Sequence, residues 1–176
     1  MINLVTIFEG TAIISASSAI FVSIFALVQL RHMEKHRNVE VSMKLFEWAE
    51  TERLRKAFKW MDRQFQFKSY SEYKLTEQKD AEETEYPFEV IAFFEQVGFL
   101  VEKKFIDLDV IVDRLGNYVV LNWRKLEPLI EGVRQERNDF AYGEHFMHLY
   151  NQTVKYMSKG CESGNENFCR TLEIPK

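Results

Sequence analysis

Apolar positions form one long uninterrupted run near the N-terminus, followed by segments in which they recur every three or four residues. From Ala12 to Leu30 the chain reads AIISASSAIFVSIFALVQL without a charge. At 1.5 Å per residue, a run of about 19 residues comes close to crossing a hydrocarbon core of about 30 Å. The pattern predicts one N-terminal transmembrane helix, with residues 1–31 as leader and anchor. Two other readings compete. A cleavable signal peptide needs a basic leader and a small-residue cleavage site, but MINLVTIFEG has no Lys or Arg and the run ends in Gln29, Leu30 and Arg31. A buried core helix is the second, and four serines within the run favour it somewhat.

Charge gives the anchor a direction. Arg31, Lys35 and Arg37 form a basic collar with His32 and His36 on the C-terminal side, while the N-terminal side offers only Glu9 and the α-amino group. Basic residues stay on the cytoplasmic side, so the expectation is the inner (cytoplasmic) membrane, N-terminus outside and C-terminal domain inside. Thr11, Ser15, Ala19 and Ser23 recur every fourth residue and line small side chains along one face, so a second helix can approach closely. Expected partners are therefore the lipid bilayer and either a second copy of the chain or another membrane protein.

Beyond the collar the periodicity is helical, and residues 32–160 are expected to form one domain. The first helix continues through Val39, Met43 and Phe46 toward Ala49. Thr51 is placed to cap a helix with an apolar stripe of Leu54, Phe58, Met61 and Phe65. Lys56, Lys59 and Arg63 share another face, either solvated or meeting anionic lipid or an acidic partner. Residues 67–85 lose periodicity and turn polar, which predicts an exposed acidic connector. After Pro87, the positions of Val90, Phe94, Val97 and Val101, with Phe93 and Leu100 beside them, predict the central core helix. Asp107 or Asp109 is expected to cap the next, along Leu108, Ile111, Leu115, Val119 and Asn122, with Trp123 near its end. Pro128 should restart the chain in a short helix through Leu129, Ile130 and Val133. Asp139 should precede a last helix carrying Phe146, Leu149, Tyr150, Val154 and Met157, stopped by Gly160. Residues 161–176 read as a flexible tail. The fold class expected is all-α: an anchor and a cytoplasmic bundle of about five helices.

Composition narrows the function. With 46% hydrophobic residues and 14% aromatics the chain can fill a core, and with seven Gly and three Pro it has few breaks for a many-stranded sheet. A net charge of -4 argues against nucleic acid as a partner. Cys161 and Cys169, both in the expected tail, cannot frame a disulfide scaffold. A cytoplasmic domain keeps them reduced and leaves the Asn151-Gln152-Thr153 sequon unused; an inverted topology would reverse both.

FFEQVGFLVEKKFID at 93–107, with Trp123, Arg134 and Arg137 later, resembles an uncharacterised bacterial family of single-pass membrane proteins, domain of unknown function 4760. The resemblance implies one N-terminal membrane helix joined to a helical cytoplasmic domain. It implies no activity and carries over no catalytic residue.

Candidate chemistry is sparse. Gly98, Gly116, Gly132 and Gly143 are isolated, so no phosphate-binding loop is present in the sequence. In His32-Met33-Glu34-Lys35-His36 the Glu falls one position too late for the zinc-protease signature. His145 and His148 share a helix face and are the metal candidates, although the sequence shows no third ligand. Glu95 falls on the central core helix, where a buried carboxylate needs a partner such as Arg134 or Arg137 or else becomes an acid of raised pKa. No cofactor is expected, and an enzyme less than a binding protein. The functional expectation is a membrane-tethered helical interaction or scaffold module, regulatory or sensory. The alternatives are a cryptic metal-dependent membrane enzyme using His145 and His148, and a membrane-acting toxin or defence effector.

Overall fold

A computed structural model describes the backbone of residues 4–77 and 83–173 and, within these, the side chains of 21–30, 33, 38–75 and 83–173. Every regular element among the described residues is helical, as expected. Two units are distinguished, residues 1–40 and 41–176, and helix α1 (Leu4–Ala49) contributes to both.

In the first unit, residues 21–30 are all exposed. Phe21 is 74% exposed, and Val22, Ile24, Phe25, Leu27, Val28 and Leu30 are also open. At about 100° per residue these seven side chains occupy every side of the helix. Among the described residues no helix is long and apolar enough to cross a membrane. The expected span Ala12–Leu30 is only partly covered, because the side chains of 12–20 lie outside the described residues. Its described portion is about 15 Å long, half of what a crossing needs. The transmembrane helix read from the sequence is therefore not among the elements the structure supplies. Thr11, Ser15 and Ala19, and the collar of Arg31, Lys35 and Arg37, likewise lie outside the described side chains; Ser23 is described and exposed.

The second unit packs the end of α1 with α2 (Glu52–Arg63), α3 (Tyr70–Glu77), a 3₁₀ turn at Glu83–Glu85, α4 (Tyr86–Glu102), α5 (Leu108–Arg137), α6 (Glu144–Glu162) and α7 (Glu166–Glu173). Helix α4 is the centre, with α2 and α6 against it. Val90, Phe93, Phe94, Val97 and Val101 are buried, as the spacing predicts. The α2 stripe is also inside: Leu54 and Met61 are buried, and Phe58 sets its ring edge against Phe93 and Phe94, both at 5.8 Å.

Four expectations change. The acidic connector is partly ordered as α3 and the 3₁₀ turn, since aromatic side chains within it find burial. Tyr73 is buried, meets the edges of Phe67 and Phe88, and donates its hydroxyl to the carbonyl of Thr84. Pro128 does not restart a helix; it lies inside α5. The interior proline costs about 3 kcal/mol, but Leu129, Ile130 and Val133 beyond it are buried at about 1.5–3 kcal/mol each, so the continuing helix wins. Asp139 does not start α6; its carboxylate accepts the N–H of Ala141 within the preceding turn, and α6 begins after Gly143 at φ 73°.

The fourth change concerns the tail. Gly160 lies inside α6 instead of stopping it, and the ring of Phe168 occupies the space over it, with Cδ2 2.5 Å from where a Cβ would stand. Helix α7 closes a small second cluster of Val112, Val120 and Met157 with Phe168 and Leu172. The hydroxyl of Thr171 donates to Asn117 at 2.7 Å, and Arg124 donates to the carbonyl of Leu172 at 3.1 Å. Cys161 and Cys169 are disulfide-bonded with Cα atoms 5.1 Å apart, stapling α6 to α7. The pair expected not to frame a disulfide scaffold thus fastens the segment expected to be loose, because α7 folds back on α6.

Candidate functional site

The residues singled out for chemistry meet where α6 begins against α4. Gly98 makes the meeting possible: a Cβ there would stand 2.5 Å from the carbonyl carbon of His145, so only glycine admits the first turn of α6 so close to α4. Glu95 lies nearly one turn earlier on α4, beneath the N-terminus of α6. Its carboxylate accepts the backbone N–H of His145 at 3.2 Å and of Phe146 at 2.9 Å.

These are two of the donors a helix leaves unsatisfied in its first turn. Gly143, at the capping position, has no side-chain oxygen to offer them, so a carboxylate from another helix does so. The negative charge also faces the positive end of the α6 dipole.

The pairing expected of Glu95 with Arg134 or Arg137 does not form. Arg134 donates through Nε to the carbonyl of Tyr142 at 2.7 Å and through Nη1 to Glu131 at 2.7 Å. It is 8% exposed, and its Nη2 has no protein partner. Arg137 places its guanidinium 5.9 Å from the Tyr142 ring centroid. The arginines hold the segment entering α6, while Glu95 holds the helix itself. All three act on the same stretch by different bonds. Burial pushes the Tyr142 hydroxyl up to about 12, against the pull of Arg137 and with a smaller push from the Glu95 carboxylate.

His145 and His148 each have their own neighbour. Nδ1 of His145 lies 2.9 Å from Glu102, and its ring sets an edge toward Phe99 at 5.4 Å. Nε2 of His148 accepts from the Gln152 amide at 2.6 Å. Glu102 also bonds Lys103 at 3.0 Å, and those two partners, Lys103 first, hold its carboxyl below the usual range. Among the described residues no group of three or more His, Cys, Asp or Glu is placed to hold a metal ion. On their shared helix face, the two rings each meet a separate partner.

A groove of ≈ 450 Å³ opens over this junction, apolar along Ile91, Ala92 and Phe99 and polar at Glu95, Gln96, Tyr142 and His145. It offers a neutral phenol, an amide and an imidazole above an apolar floor, a combination suited to recognition by hydrogen bonds and contact. The sequence singles out Glu95 and His145 but misses Gly98 and Tyr142. An isolated glycine inside an apolar helix, and a glycine at a helix start without a capping side chain, were the available signals.

The profile of a family described as Domain of unknown function (DUF4760) matches residues 13–153. The match takes in α4, α5 and the start of α6, and ends before Cys161. No curated protein and no solved structure matches the chain.

Proposed function

We propose, for a chain that belongs to the DUF4760 family, the role of a membrane-tethered helical interaction module: the N-terminal helix holds it at a bilayer, and the helical domain engages a partner through the groove between α4 and α6. The observation that carries this reading is the ring of exposed apolar side chains at 21–30 of α1. A helix apolar on all sides is stable when buried or in lipid, and the uncharged sequence extends upstream to Ala12. The basic collar at Arg31, Lys35 and Arg37 favours a cytoplasmic domain. Partners, in this reading, are the bilayer and a second copy or another membrane protein.

The test is alkaline carbonate extraction of native membranes followed by cross-linking. The chain should stay in the pellet and yield a cross-linked dimer or complex. Release by carbonate removes the tether, and a persistent monomer with nothing attached removes the interaction role.

One observation favours a second topology. The Cys161–Cys169 disulfide suits a domain on the oxidising side of the membrane. Labelling intact cells with a membrane-impermeant maleimide, before and after an impermeant reductant, separates the two. Labelling that appears only after reduction puts the domain outside. Thiols that react only after the cells are opened put it inside.

A further inference from the structure

We propose that a second groove, between the last turn of α1, α2 and α5, binds a single-chain anionic amphiphile, a fatty-acid carboxylate taken up as a free molecule. The groove has a volume of ≈ 390 Å³ and is lined by Ala49, Arg55, Phe58, Lys59, Leu115 and Tyr118. Its floor is apolar: Ala49, Phe58 and Leu115 are partly buried against the core, and Phe58 meets the edge of Tyr118 at 5.9 Å. A volume in the range of about 300–1,000 Å³ is usual for small-molecule sites.

The rim carries the specificity. Several neighbouring cations are neutralised: Arg53 by Glu85 at 2.6 Å and Glu89 at 2.7 Å, Lys56 by Glu52 at 2.9 Å, and Lys125 from α5 by Asp62 at 3.7 Å, while Arg63 ends α2 and does not line the groove. Arg55 and Lys59, the two that line the groove, are exposed and make no ion pair within the described residues. Glu52, which feels the Arg55 charge, is bonded to Lys56. Two like charges four residues apart on a helix repel, and an anion between them turns that cost into attraction.

The sequence groups Lys59 with Lys56 and Arg63; the fold separates it from Lys56 and pairs it with Arg55 over an apolar slot. A membrane surface is a poorer match than a single molecule. Anionic lipid sheets are held by clusters of about four to eight cations on an open face, whereas this site is concave and supplies two. An apolar chain lying on Phe58 and Leu115 with its carboxylate between Arg55 and Lys59 satisfies both halves of the groove.

The test uses the full chain in phosphatidylcholine nanodiscs, photolabelled with a diazirine analogue of lauric acid and mapped by peptide mass spectrometry. Saturable labelling is expected at residues 49, 58, 115 or 118, displaced by excess laurate and not by lauryl alcohol. Reversing both charges, Arg55→Glu with Lys59→Glu, should lower it about tenfold. Leu115→Trp should lower it too by filling the slot while keeping the cations. Lys59→Gln alone, expected to give a severalfold loss, replaces the double variant if circular dichroism shows that one unfolded. The proposal is overturned by equal displacement with the alcohol, by labelling indifferent to charge reversal, or by labels confined to 21–30. Displacement by phosphatidylglycerol in the disc, without displacement by laurate, also overturns it and makes the groove a lipid-headgroup surface.

Discussion

Replacing Glu95 tests whether α6 is held by a carboxylate from α4. In Glu95→Ala the N–H groups of His145 and Phe146 lose their acceptor. Loss of a cap costs about 1 kcal/mol, within a range of about 0.5–2. Phe146 is fully buried, so water does not readily replace the lost bond, which adds about 1–3 kcal/mol for an unsatisfied donor. Removing a charge from the dipole adds a few tenths to about 1 kcal/mol. These terms overlap, and about 2–4 kcal/mol is the expected loss. Glu95→Gln keeps one acceptor oxygen and should lose about 1 kcal/mol.

Urea or thermal unfolding of the purified chain, followed by circular dichroism, reads both. At roughly 2–5 °C per kcal/mol for a unit of this size, the alanine variant should melt about 5–15 °C lower. Amide exchange should rise first at residues 145 and 146. A double-mutant cycle with Arg137→Ala discriminates further. Capping predicts near-zero coupling, whereas a Glu95–Arg137 ion pair predicts coupling above about 1 kcal/mol. Equal losses in Gln and Ala, a loss in Ala under about 0.5 kcal/mol, or strong coupling to Arg137 would each refute the capping account.

Gly98→Ala should destabilise by about 3 kcal/mol or more, because the obstruction is the His145 backbone and not a movable side chain; Gly116→Ala, whose nearest neighbour is Val112 Cγ1 at 3.1 Å, should cost far less in the same melt. Tyr142, raised from its usual 10 to about 12, keeps its stability contribution below pH 10 and loses it as pH rises toward 12, since the unfolded chain ionises first. The loss reaches at most about 2–3 kcal/mol, and urea titrations at pH 8 and pH 11 should show a larger fall in the wild type than in Tyr142→Phe, where the raised Tyr70 and Lys74 still titrate. Reduction of Cys161–Cys169 releases a short loop worth about 2–3 kcal/mol in chain entropy. Because the loop is local, exchange protection should fall in α7 while α4 and α5 stay protected. A fall spread evenly over all helices would refute a local role.

Much of the helical architecture was legible because burial and period coincide: Val90, Phe94, Val97 and Val101 are four separate statements of one face, and all four are buried. Boundaries were less legible where a local signal opposed packing. Proline 128 argues for a break, but the apolar residues after it argue for continuation, and periodicity alone does not weigh the two. Polarity likewise hid Tyr73, whose burial depends on Phe67, Phe88 and Thr84 arriving from outside its own helix. The site follows the same rule. Glu95 was recognisable as a carboxylate needing a partner, yet the partner is backbone, which carries no identity in a sequence. Arg134 and Arg137 were recognisable as belonging nearby, but the bonds they make depend on the path of the 138–143 turn.

The glycine contact between α4 and α6 has a mechanical side. Where helices meet through side chains, rotamers can exchange and one helix can slide past the other by an ångström or so. At Gly98 the opposing surface is peptide backbone, with no rotamer to change. The two walls of the groove above it are therefore pinned at that point and should travel as one piece. The turn at 138–143 is fastened too, since Arg134 bonds the Tyr142 carbonyl and Arg137 lies over its ring, so the α4–α6 joint works as a fulcrum with α5 tied to it.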